Sequence, residues 1–107
     1  GKGLGLDREV RGGLELSIDN FLKEPKESER MISIILRSQG IEPNLDAILS
    51  FIVGTAFGIV MTIYRIKYNR DMNSQEHANF LELMKRRAWE LREAFIAARI
   101  EGPSEEE

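Results

Sequence analysis

The chain of 107 residues carries 15 Lys or Arg against 18 Asp or Glu, a formal net charge of −3, and has no cysteine. That excludes a disulfide framework, a thiol nucleophile and a cysteine-based zinc site, and the acidic balance argues against general affinity for nucleic acid. With 42% apolar and 31% charged residues, one folded domain with a modest core is expected, and no secretory leader is visible, which fits a cytoplasmic protein.

Residues 1–13 hold five of the nine glycines (Gly1, Gly3, Gly5, Gly12, Gly13), and an interior glycine costs a helix about 1 kcal/mol. The segment therefore reads as an arm in which Asp7 caps at most a short turn, with the helical domain over 14–101. From Leu14 onward Leu14, Ile18, Phe21 and Leu22 share one helix face, and Pro25 stops that helix. A second helix opens at Pro25 or Lys26 and ends at Gly40. Its dense apolar content (Met31, Ile32, Ile34, Ile35, Leu36) predicts cover on more than one side. A third helix opens at Pro43 or Asn44 and runs to about Arg70. Asn73 followed by Glu76 reads as a capping box opening a fourth, which Gly102-Pro103 closes before an acidic tail over 102–107.

The third helix contains an 18-residue run without charge, Ala47 to Tyr64. At 1.5 Å per residue it covers roughly 27 Å, the lower edge of a bilayer span. Ala47, Ser50, Gly54, Gly58 and Thr62 line up on one face, with Gly54 and Gly58 in the GxxxG spacing that lets backbones approach closely. Asp46 precedes the run and Arg65, Lys67 and Arg70 follow it, a positive-inside asymmetry. A soluble bundle accounts for more. Five of the 18 positions are Ser, Gly or Thr, and the fourth helix carries an apolar stripe (Leu81, Met84, Ala88, Leu91, Phe95, Ala98) that needs a long apolar neighbour. The uncharged run then serves as the central helix, in an antiparallel hairpin with the fourth.

The resulting architecture is all-α, a four-helix bundle-like domain. Two short helices do not cover a rod of roughly 40 Å, so a homodimer is expected. The face of Ala47, Ser50, Gly54, Gly58 and Thr62 lies either at the two-fold axis or against the fourth helix.

No motif assigns an activity. Arg70 and His77, the only histidine, are separated by six residues. This spacing resembles the R-x(4–6)-H signature of HEPN-type ribonucleases, a resemblance that implies cleavage of an RNA phosphodiester by the pair at a dimer interface. The bland reading, a half-buried packing histidine, weighs more. Glu24 with Glu27 and Glu90 with Glu93 have the E-x-x-E spacing of all-helical nucleotide pyrophosphohydrolases, but the third helix offers no second acidic pair, so a cation would lack ligands. No metal and no cofactor are expected. Arg65, Lys67, Arg70, Lys85 and Arg86, with Trp89 beside them, form a candidate nucleic-acid stripe. Against it stands a solvated charged face, with Glu82 and Arg86 as an i,i+4 pair and cations at a helix C-terminus. Trp89, Ile96 and Ile100 are expected against the first helix or a partner subunit. The sequence reads best as a small cytoplasmic interaction or regulatory module without catalysis, with a homodimer and an unidentified protein as its partners. A ribonuclease and a single-span membrane protein are the rivals.

Overall fold

The computed structural model describes residues 5–101, and all regular structure in them is helical: α1 (Arg8–Lys23), α2 (Pro25–Ser38), α3 (Leu45–Tyr68) and α4 (Ser74–Glu101). The expected acidic tail lies outside the described residues. Every helix packs on every other, α3 and α4 most extensively, in a body of 48 × 26 × 19 Å.

Local chemistry sets most boundaries. Asn44 caps α3 by accepting from the Ala47 N–H at 2.8 Å. Pro25 opens α2, and Gly40 follows that helix at φ +76, where a side chain would be strained. Asn69 ends α3 in the left-handed region at φ 56, its N–H reaching the Arg65 carbonyl at 3.0 Å.

Three expectations are corrected. α1 begins at Arg8 rather than Leu14, so the residues 8–13 expected in the arm are helical. Asp7 is the N-cap, and buried Val10 adds a turn to the apolar face of Leu14 and Ile18, which offsets the cost of Gly12 and Gly13. Second, α2 is covered on one side only: Ile32 and Leu36 are buried, whereas Met31, Ile34 and Ile35 are exposed. Third, α3 is one of four sides and not a wrapped centre. Ile48, Leu49, Ile52, Ala56, Val60 and Tyr64 face the core at steps of one to four residues, and the opposite side is open.

The α4 stripe is nearly as expected. Met84, Leu91, Phe95 and Ala98 are buried and Ala88 is half-buried, but Leu81 is 61% exposed and Phe80 takes the core position instead. Phe80 and His77 stack obliquely on Phe57 of α3, at 5.6 and 5.8 Å between ring centroids. Trp89, Ile96 and Ile100 are exposed, so they do not pack on α1. Between α1 and α4 the polar contact is electrostatic: Arg87 bonds Glu15 and Asp19 at 2.5 Å each, and desolvation of the guanidinium is set against those hydrogen bonds.

Candidate functional site

Two regions outside the core hold the residues that the sequence singled out. The first is the end of the bundle where α1 starts and α3 stops. Glu76 is 4% exposed. It closes the capping box, accepting from the Asn73 N–H at 2.8 Å while Asn73 Oδ1 accepts from the Glu76 N–H at 2.8 Å. Its two carboxylate oxygens also take both ends of the Arg70 guanidinium, at 2.8 and 3.1 Å. Arg70 donates further to the Asp71 carbonyl at 2.8 Å and lies over the rings of Tyr64 and Tyr68, 5.5 and 5.2 Å from their centroids. The Arg70 hydrogen bonds hold the Glu76 carboxyl below the usual carboxylate range, and the capping bond from Asn73 adds to this.

Asp7 sits beside this pair. Its carboxylate caps α1 through the N–H groups of Glu9 and Val10 at 2.9 and 3.2 Å, and it also accepts from Lys67 Nζ at 2.8 Å and from the Tyr68 hydroxyl. Its own N–H donates to the buried Tyr64 hydroxyl at 2.8 Å. The Lys67 bond, then that of Tyr68, drives the Asp7 carboxyl far below its ordinary value, while Asp7 and Glu9 raise Lys67. Residues 57 to 61 positions apart in the chain are thereby tied together. The knot is a clamp: each of its charges faces an opposite charge at hydrogen-bond distance.

This bears on the Arg70 and His77 pair. Arg70 is engaged by Glu76, which lies between the two in sequence, and His77 lies half-buried against Phe57. A phosphodiester could be held by Arg70 only after the Glu76 bonds break. Of the candidate basic stripe, Arg65 is paired with Asp71 at 2.8 Å, Lys67 with Asp7 and Glu9, and Arg70 with Glu76. Lys85 and Arg86 are exposed and meet no carboxylate among the described residues, so the expected Glu82–Arg86 pair is not formed; Trp89 beside them is 63% exposed. The carboxylates do not cluster. Glu27 accepts from Arg30, Glu90 forms an ion pair with Arg87 at 3.1 Å, and no three His, Asp or Glu converge among the described residues.

The second region is the outer side of α3. Ser50, Gly54, Thr55, Gly58, Ile59, Thr62, Ile63 and Ile66 are exposed there and Ala47 is half-buried. A Cβ built on Gly54 or Gly58 meets nothing within 4 Å, so the small-residue face points away from the rest of the chain and not at α4. α3 has a mean hydropathy of 2.1 over its most apolar stretch, yet only 33% of that stretch is buried. By length and composition it could cross a membrane. On the α1 side this surface falls into an apolar groove of about 260 Å³, walled by Gly13, Leu14, Ser17 and Phe21 of α1 and by Thr55, Ile59 and Ile63 of α3. Periodicity located α3, but not the breadth of its open face, because that depends on how few neighbours the two short helices supply. Comparison with protein families, with curated proteins and with solved structures finds no match.

Proposed function

We propose that this chain is a non-catalytic helical interaction module that self-associates as a homodimer through the outer face of α3. One observation carries the reading: the most apolar helix of the chain, uncharged from Ala47 to Tyr64, has only 33% of its apolar stretch buried and leaves Ser50, Gly54, Thr55, Gly58, Ile59, Thr62 and Ile63 exposed. An uncharged face of small residues flanked by exposed Ile59 and Ile63 lets a second helix approach closely. α3 and α4 are read as an antiparallel hairpin, supported by Arg92 of α4 reaching Asp46 at the start of α3 at 3.5 Å and by His77 at the start of α4 stacking on Phe57. A further protein partner would use the same apolar surface, in the cytoplasm.

The packing of α3 weighs against a span. Its flanking helices carry Lys85, Arg86, Arg87, Glu90 and Arg92 on one side and Glu15 and Asp19 on the other, charges that a bilayer would have to desolvate if the bundle stayed closed. Light scattering on protein purified without detergent tests the proposal. A species of twice 12.2 kDa is expected. A monomer at every concentration overturns self-association, and recovery from membranes only with detergent favours a span.

A further inference from the structure

We infer that the partner of this surface is the α3 helix of a second copy, lying antiparallel across the α3–α4 seam with the two-fold axis between residues 54 and 57. The inference rests on the self-association reading and adds the direction and register of the pairing. Along the seam side of α3, Ala47, Ser50, Gly54, Phe57 and Met61 recur at steps of three, four, three and four, the spacing of a helix meeting a helix. The first three are small; Phe57 and Met61 are large and half-buried, Phe57 with one side against His77 and Phe80 of its own α4, so only their outer edges face the partner. A parallel pairing would set Phe57 on Phe57 and Met61 on Met61 while leaving the small half empty. Reversing the partner sets Ser50 against Met61 and Gly54 against Phe57, so each large side chain meets a gap.

Charge supports the same register. The pairing that joins Ser50 to Met61 also brings Asp46, at one end of the uncharged run, opposite Arg65 at the other. Both side chains are well exposed (83% and 64%), and each also has a partner in its own chain, Arg92 at 3.5 Å for Asp46 and Asp71 at 2.8 Å for Arg65. In a parallel dimer Asp46 would face Asp46 and Arg65 would face Arg65. The seam has a second wall. Leu81 and Trp89 lie eleven and three residues before Arg92, on the flank of α4 that reaches α3, and both are exposed in the single chain. A partner helix in the seam covers Leu81 near the two-fold axis and Trp89 toward the ends of the contact.

A chain without cysteine allows a direct test. Ser50→Cys and Met61→Cys are prepared separately, with helicity checked by circular dichroism, and oxidised alone and mixed. In the inferred register only the mixture forms a covalent dimer. Two copies of residue 50 would stand about 16 Å apart along the helices, whereas a disulfide needs Cα atoms about 4.4–6.8 Å apart. Linking of Ser50→Cys alone overturns the inference in favour of a parallel pair. A dimer by light scattering without linking moves the interface elsewhere and leaves self-association standing, while a monomer sinks both. A charge cycle avoids the half-buried Met61: Asp46→Arg and Arg65→Asp should each weaken the dimer about threefold or more, and the double variant should recover it. Equal dimerisation by all four proteins overturns the register.

Discussion

The end of the bundle at Asp7 and the outer side of α3 are built from opposite materials and are finished to opposite degrees. At the first, Asp7, Tyr64, Lys67, Tyr68, Arg70 and Glu76 each have a partner supplied by the same chain. At the second, Ser50, Gly54, Gly58, Ile59 and Ile63 are exposed, and a Cβ added at either glycine meets open space. Polar groups demand directional partners within about 3 Å, so a stable chain resolves them internally. Apolar surface demands only cover, and a second molecule supplies cover as well as a second helix does. The difference teaches where to look for function: the end that ties itself off has its polar groups answered within the chain, and the open side is where the proposed association would act.

The sharpest way to break this contrast is to put a charge on the open side. Gly54→Glu enters empty space in the single chain, so its melting temperature should stay the same or rise slightly, since Glu is the better helix former. In the proposed dimer the same carboxylate would be buried twice, once from each copy, without a partner. The association constant should fall by about a hundredfold or more, roughly 2.7 kcal/mol. Sedimentation or light scattering against concentration reads the loss, and Trp89 offers a second readout. It is the one tryptophan, 63% exposed in the single chain, so its emission should shift to shorter wavelength and resist iodide as the parent associates, and should do neither in Gly54→Glu. An unaltered dimer would mean that the open side is solvent-facing in the assembly too.

At the closed end the expected effects are on folding alone. Glu76→Ala removes the acceptor of the Asn73 N–H and the partner of Arg70 together. Arg70 is 44% exposed, so water takes up part of the loss, and about 2 kcal/mol of destabilisation is expected, roughly 10 °C in melting temperature. Glu76→Gln keeps the acceptor and should cost about half as much. Asp7→Ala removes the α1 cap for about 1 kcal/mol, and Asp7→Asn, which caps nearly as well, isolates what the Lys67 charge adds. Both carboxyls are lowered in the folded chain, so the unfolded chain takes up their protons first as pH falls. Their contribution is full above about pH 5 and is lost progressively below the unfolded carboxylate values near 4. Urea midpoints from pH 7 to 3 should show that decline, and the double variant Asp7→Asn with Glu76→Gln should flatten it. A parallel decline in the double variant would show that other acids govern it.

The residues that the sequence made legible are those whose partners are close in sequence. The capping box of Asn73 and Glu76, the Asn44 cap, Pro25 and Gly40 all stand where spacing put them, because each is decided within about four residues. The start of α1 was not legible. Gly12 and Gly13 weigh against a helix locally, and what favours it is Asp7 bonding Lys67 and Tyr68, 60 and 61 positions away. The spacing of Arg70 and His77 is silent for a related reason: it does not report that Glu76 holds the arginine. The open face of α2 is not legible because apolar density says that a residue prefers burial, not whether a neighbour is there to bury it. Leu81 shows it in miniature, fitting the heptad while Phe80 takes its place in the core.

The smallest expected effect tests the contrast with the least disturbance. Gly12 on α1 and Gly54 on α3 are both mid-helix, and a Cβ at either meets nothing within 4 Å. Replacing each by Ala should therefore stabilise the isolated chain similarly, by roughly 0.5–1 kcal/mol, through the lower entropy of the unfolded state. If both sites are open to water in the assembly as well, the two variants should associate like the parent. If the outer side of α3 takes a second helix with Phe57 of the partner over Gly54, the added methyl holds the backbones apart at that one place. Gly54→Ala should then raise the unfolding midpoint of dilute, monomeric protein while weakening the dimer severalfold, and Gly12→Ala should raise the midpoint and leave the dimer unchanged. One pair of near-identical substitutions thus separates a glycine that the chain merely tolerates from one that its partner requires.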